Sequence, residues 1–258
     1  MTEINDKKTI EEFFRKDPGL YVYQLGDLDD FFFKYTKWFA YIHDGIIRQI
    51  IIIYSGTELP VLIAIADDNF QETKTLIREM IPLLPDKFYS HLSSGLENSF
   101  DKFFSKYLHG KDYKMILTKD KFIPAESCDE IRRLNKDEYE EIKIFYDLNY
   151  PGHWFDERML ETGKYFGYVI DNELSGIAGI HVYSAEYRIA ALGNIVTGLK
   201  YRGKSICRKV TSALCKDLFL TVDYIGLNVN SENTAAIKCY QNLGFEINHE
   251  YSEILFTK

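Results

Sequence analysis

VTGLKYRGKSICRKVTSAL, Val196–Leu214, passes from a β-branched run through a cationic loop into an amphipathic helix. Ile206, Val210, Ala213, Leu214 and Leu218 recur at helical spacing, which predicts a helix over Ser205–Leu218 and leaves its first turn in the loop just after a strand. The first N–H groups of a helix have no partner within it and carry the positive end of its dipole. With Arg202, Lys204 and Arg208 close by, they make a compact seat for a pyrophosphate. Alone, three basic residues at a helix start are simply solvated, so the weight of this loop depends on its neighbours.

Downstream lie a strand, Tyr224–Val229, and a helix, Asn233–Leu243, in which Ala236, Cys239, Tyr240 and Leu243 share a face and which Gly244 ends. A last strand follows at Tyr251–Thr257. Upstream, Tyr165–Ile170, Leu174–Tyr183 and Arg188–Thr197 alternate as three antiparallel strands, the first pair joined by the hairpin signal Asp171-Asn172-Glu173. Helices at Lys136–Leu148 and Phe155–Thr162 precede them. The order is ααβββαβαβ.

The N-terminal part has a similar rhythm. Helices are expected at Thr9–Arg15, Gly26–Phe33, Asn69–Leu84 and Leu96–Lys106, and strands at Lys37–His43, Ile46–Tyr54, Leu59–Ala66, Lys87–Leu92 and Tyr113–Thr118. KDKFIPAESCD, Lys119–Asp129, is polar, holds Pro124 and reads as a linker, dividing the chain into residues 1–122 and 123–258. The fold class is α/β (α+β), a mixed and mostly antiparallel sheet flanked by helices.

The 258 residues are 46% apolar, enough for an ordinary core, and carry a formal charge of −8 that opposes any broad polyphosphate surface. Nucleic acid is therefore not an expected partner. Cys128, Cys207, Cys215 and Cys239 form neither C-x-x-C pairs nor a Cys/His ladder, so no metal site is expected and the thiols read as reduced. MTEINDKKTIEEFF is not leader-like and the longest apolar run, Ile50–Tyr54, is too short to span a bilayer. The expectation is a cytoplasmic protein with no membrane partner and an open oligomeric state. No G-x-x-x-x-G-K-[S/T] or G-x-G-x-x-G follows a strand, which sets kinases and dehydrogenases aside.

Two stretches resemble the GNAT superfamily of acetyl-CoA-dependent N-acetyltransferases. Its cofactor loop is [Q/R]-x-x-G-x-[G/A], and this chain has Arg202-Gly203-Lys204-Ser205-Ile206-Cys207, with Ser205 and Cys207 departing from the two small residues. Its second signature, N-x-x-A then Y-x-x-L-G-F, is matched by Asn233, Ala236, Tyr240, Leu243, Gly244 and Phe245. The resemblance covers about residues 128–258. It implies acetyl-CoA as co-substrate, held by Arg202 to Arg208, by the main chain of Ile195, Val196 and Thr197, and near Asn233, Ala236 and Tyr240. It also implies an acyltransferase moving acetyl to a primary amine of a small acceptor by direct attack in a ternary complex.

In that scheme Tyr240 protonates the leaving thiolate, a task suited to a phenol that is neutral near pH 7; a packed core tyrosine is the plainer reading. The strand before the loop, Ala190–Ile195, lacks the carboxylate some members use as base. YPGHWFDERMLETGKYFG, Tyr150–Gly167, and the next strand offer His153, Glu161 and His181 instead, though each candidate there has a plainer reading, Asp156 and Glu157 as helix-start charges, Trp154 as core and His181 as a satisfied sheet histidine. An acyl-CoA-binding regulatory module without turnover, transfer of another acyl group, and a hydroxyl acceptor are the alternatives. The N-terminal order, with Asp67 and Asp68 where a cationic loop would stand, resembles a degenerate GNAT-like half of a two-part bacterial GNAT protein; YQLGDLDD, Tyr23–Asp30, and YSGTELPVL, Tyr54–Leu62, are similar to phrases of such proteins.

Overall fold

The computed structural model describes all residues, 1–258, and they form two compact units. Unit 1 holds Met1–Lys114, Val229–Glu232 and Asn248–Lys258; unit 2 holds Met115–Asn228 and Asn233–Ile247.

Unit 1 contains β1 (Thr2–Ile4), α1 (Lys7–Phe14), α2 (Val22–Gly26), α3 (Asp30–Phe33), β2 (Thr36–His43), β3 (Ile46–Tyr54), β4 (Val61–Ala64), α4 (Phe70–Met80), β5 (Lys87–Ser93) and most of β6 (Ser105–Thr118). Asp6 caps α1 by accepting from Thr9 N at 3.0 Å, and Asp44-Gly45, both at positive φ, make the tight turn between β2 and β3. Strands β1 to β4 pair antiparallel in sequence, β4 pairs parallel with β5, and β5 pairs antiparallel with β12 (Glu246–Thr257). In the linear reading the last strand closes the C-terminal domain; in the structure its residues from Asn248 onward belong to unit 1. Ile254 and Phe256 sit in the core with Phe39, Ile51, Leu76, Phe88 and Phe100, Phe256 lying 4.4 Å from Phe100 between ring centroids.

That aromatic cluster corrects the helix expected at Leu96–Lys106. The segment is one 3-10 turn, Glu97–Ser99, and then the start of β6. The four-residue spacing of Leu96, Phe100 and Phe104 imitates a helix face, yet these side chains reach the core from a turn, with Phe104 5.2 Å from Phe88. The helix expected at Gly26–Phe33 is also broken: α2 ends at Gly26, and a second short helix, α3, begins only at Asp30, where Asp29 accepts from Phe31 N.

Unit 2 contains β7 (Ile131–Arg133), α5 (Tyr139–Asn149), β8 (Phe166–Ile170), β9 (Glu173–Ser184), β10 (Ile189–Thr197), α6 (Ile206–Leu218), β11 (Tyr224–Asn230) and α7 (Thr234–Gln241), with the tail of β11 in unit 1. Its strand order is β7-β8-β9-β10-β11, antiparallel except for the parallel pair β10–β11. The stretch expected as a helix at Phe155–Thr162 is a 3-10 turn, Glu157–Thr162, capped by Asp156 and ended by Gly163 at φ 63°. Helix α6 lies on β8, β9 and β10, its Ile206 so near Gly176 that a Cβ there would meet Ile206 Cγ2 at 2.5 Å. Only glycine on β9 allows that approach. At the other end of α6, Asp217 accepts from Arg133 at 2.6 Å and from Lys164 at 2.7 Å. No helix is long and apolar enough to cross a membrane.

Candidate functional site

Strands β10 and β11 pair from Ile189↔Tyr224 to Leu192↔Leu227 and then part, although β10 runs on to Thr197 and β11 to Asn230. The cause is a bulge. The β10–β9 register shifts between Gly193 and Val196, and Asn194 stands at φ 52°. Asn194 is held there from several sides: Tyr146 Oη donates to its carbonyl at 2.7 Å, and its Nδ2 donates at 3.1 Å to Tyr165 Oη, which donates to Ile180 O at 2.9 Å. Beyond the bulge, Val196 and Thr197 still pair with Ile177 and Gly176 of β9. Their other edge, toward the parted β11, has no ladder partner, and Ile195, Val196 and Thr197 offer main-chain groups there.

The loop that follows β10 turns sharply. Gly203 and Ser205 take left-handed φ values of 78° and 60°, and Ser205 is the N-cap of α6 without capping it by its side chain. The first intrahelical bond is Lys209 N to Ser205 O, so the N–H groups of Ile206, Cys207 and Arg208 are left to an outside acceptor. Arg202, Gly203, Lys204 and Ser205 are exposed around them. Thr197 Oγ1, Arg208 Nε and Asn228 Oδ1 are buried polar atoms with no partner, although each belongs to the end of β10, the start of α6 or the parted stretch of β11. Buried polar atoms are rarely left so. A ligand combining an anion with amide groups, as an acyl-CoA does, matches this set of donors and acceptors; Asn228, on the parted stretch of β11, is a residue the sequence reading missed, since nothing in its spacing marks it.

Helix α7 explains the second signature. Asn233 caps it, its Oδ1 accepting from Ala236 N at 3.2 Å. Gly244, at φ 96°, passes beneath the carbonyl of Lys121, where any Cβ would collide. Phe245 N returns to Tyr240 O at 3.1 Å, and the two rings pack edge-on at 5.9 Å. Tyr240 is 7% exposed. Burial, with Cys207, Cys239 and Tyr150 adding to it, holds its phenol well above the ordinary pKa, so it carries its proton throughout the neutral range.

The three residues read as acceptor or base candidates are not brought together. Glu161 is engaged by Lys136 at 2.8 Å in a half-exposed ion pair. His153 has both ring nitrogens in use: Nδ1 accepts from Phe155 N at 3.2 Å and Nε2 faces Asp147 Oδ1 at 3.0 Å, which assigns the ring proton to Nε2. Its ring packs 5.1 Å from that of Tyr146. His181 lies differently, its imidazole directly over Gly193 of the bulge, in the space a Cβ there would take.

Unit 1 has the same strand–helix–strand order but no opening. Its parallel pair runs from Val61↔Tyr89 to Ala64↔Leu92, and Ser93 Oγ then accepts from Ala66 N at 2.9 Å and donates to Ala66 O. Asn69 accepts from Asp67 N and donates to Arg48 O, while Gln49 donates to Ile65 O and to Thr73 Oγ1 at 2.6 Å. The junction before α4 is thus filled by its own side chains.

The sheet is mixed and opens between two parallel strands, with a bare helix N-terminus at the opening. Residues 128–245 match the model of the acetyltransferase (GNAT) family, and the chain carries a domain of that family. Solved structures share the fold. A GNAT-family acetyltransferase structure from Novosphingobium aromaticivorans has a TM-score of 0.59 at 17% identity, over 81% of this chain and 88% of that one. A Drosophila protein reaches 0.77 at 9% identity over 99% and 98%. A tandem GNAT protein from the clavulanic acid biosynthesis pathway reaches 0.59 at 11% over 99% and 98%. Among curated proteins none matches. At these identities the likeness is one of fold.

Proposed function

We propose that this protein is an N-acetyltransferase that moves acetyl from acetyl-CoA to a primary amine of a small acceptor. The observation that carries the reading is the parting of β10 from β11 at Leu192 beside the uncapped first turn of α6. Ile206, Cys207 and Arg208 N–H, with Arg202 and Lys204, hold the pyrophosphate; the free edge of Ile195–Thr197 holds the amide-bearing arm. Acetyl-CoA, when bound, supplies an activated acetyl thioester. Tyr240 Oη keeps a proton for the departing thiolate, and His181, at the bulge, is the residue of this chain best placed to take one from the acceptor amine. His153 instead orders the Asp147–Phe155 segment, and Glu161 acts as a surface ion-pair partner. Unit 1, with its closed junction and Asp67 and Asp68, binds no cofactor on this reading.

Calorimetry with acetyl-CoA and thiol release over a panel of amines test it. Arg202→Glu is expected to weaken acetyl-CoA binding at least tenfold and to abolish thiol release; retained affinity would falsify the placement of the pyrophosphate. Tight binding by the wild-type chain with no release on any amine would leave a binding module in place of an enzyme.

A further inference from the structure

Helices α6 and α7 touch through two cysteines. Cys239 Sγ donates to Cys207 Sγ across 3.2 Å, and both residues are partly exposed. We propose that Cys207 and Cys239 are a modification site, a dithiol that hydrogen peroxide closes to a disulfide, and that the closed form binds acetyl-CoA more weakly. The second half of this statement rests on the cofactor reading above; the first does not.

Cys207 is the second residue of α6, in the turn whose bare N–H groups face the anion seat. The hydrogen bond from Cys239 holds its thiol below the ordinary pKa despite burial, and a helix N-terminus favours a thiolate further. Cys239 is the proton-holding partner, held up first by that same bond. This division gives the chemistry a direction. The Cys207 thiolate attacks one oxygen of the peroxide, the O–O bond breaks, and a sulfenic acid and hydroxide form. Cys239 sulfur then attacks the Cys207 sulfur, its proton leaves with the hydroxyl as water, and the S–S bond forms. Two thiols lose two electrons, one peroxide gains them, and two waters result. The other cysteines are not part of it: Cys215 is fully buried in α6, with its thiol pushed up by burial, and Cys128 lies outside both helices.

Closing the pair brings the sulfurs from 3.2 Å to about 2.05 Å. That draws the residue supplying a phosphate-facing N–H toward α7 and fixes Cys239, the neighbour of Tyr240. Since oxidation then opposes binding, acetyl-CoA must oppose oxidation by the same factor.

The full-length chain is treated with hydrogen peroxide and its unreduced peptides are mapped by mass spectrometry. A Cys207–Cys239 cross-link, removed by dithiothreitol and formed more slowly with acetyl-CoA present, is expected. Calorimetry should show acetyl-CoA affinity lowered at least tenfold in the oxidised protein and restored on reduction, while Cys239→Ser keeps its affinity after peroxide. Stable sulfinic acid at Cys207 without the cross-link, or a cross-link to Cys128, would overturn the site. A mapped disulfide with unchanged affinity would overturn the regulatory half. Reduced protein that fails to bind acetyl-CoA at all would sink the functional reading, and the peptide map would still decide the disulfide.

Discussion

Ser205 occupies a backbone conformation that belongs to glycine. Its φ of 60° at the N-cap of α6 explains why a small, Cβ-free residue suits that position, and why a serine there is strained. Ser205→Gly is expected to stabilise the protein by roughly 0.5–1 kcal/mol in urea denaturation, the relief being partly offset by the freer unfolded chain. Acetyl-CoA affinity should not fall; a loss would mean that the serine hydroxyl itself holds the phosphate. On the proposed function, Tyr240 is the residue on which turnover depends. With its phenol protonated across the neutral range, Tyr240→Phe should lower kcat about 10²-fold while calorimetric affinity for acetyl-CoA stays level, and a change in affinity alone would make Tyr240 a packing residue.

At the scale of elements, the opening between β10 and β11 depends on what anchors its walls. Tyr146 and Tyr165 hold the Asn194 bulge of β10, and α6, whose first turn lies at the opening, is tied at its far end by Asp217 to Arg133 on β7 and to Lys164 before β8. Burial pushes the Asp217 carboxyl up, and Lys164 and Arg133 more than offset it, so it is held below the ordinary range. A lowered folded pKa means that this contribution is present above the usual carboxylate pKa and is lost as pH falls through the folded value. Asp217→Ala leaves Lys164, whose side chain is 12% exposed, without its anion. We expect a loss of about 1–3 kcal/mol at pH 7 in denaturant titrations, shrinking below pH 4.

Across the whole molecule, the density of buried ionisable groups in unit 1 sets the response to pH. Burial alone raises Asp27 to about 8, and burial with Glu253 beside it raises Asp112 to about 7. Both shifts are upward, so their contribution is full below about pH 4, declines as the pH climbs, and is lost once it passes the folded values. Lys114, lowered to about 8 chiefly by burial, works the other way: its cost stands below pH 8 and is relieved above it. Asp27→Asn cannot ionise. It should therefore gain in melting temperature over the wild type as pH rises from 5 to 8, and a constant difference across that range would show that Asp27 is solvated in the folded chain.

The sequence alone determined the helices and strands whose periodicity comes from a single face, as in α6, and the motifs whose reason is local. Asn233 caps the helix it begins, Gly244 follows that helix at positive φ, and Arg202–Arg208 surround a helix start, all within a few residues. Tertiary structure decided what rests on distant partners. It used Leu96, Phe100 and Phe104 as core from a turn, placed Ile254 and Phe256 from the chain's end in the core of unit 1, engaged both nitrogens of His153, and set Cys207 against Cys239. Spacing along a chain reports which face a residue shares, whereas hydrogen bonds and packing across strands and helices depend on neighbours that only folding brings within a few ångströms.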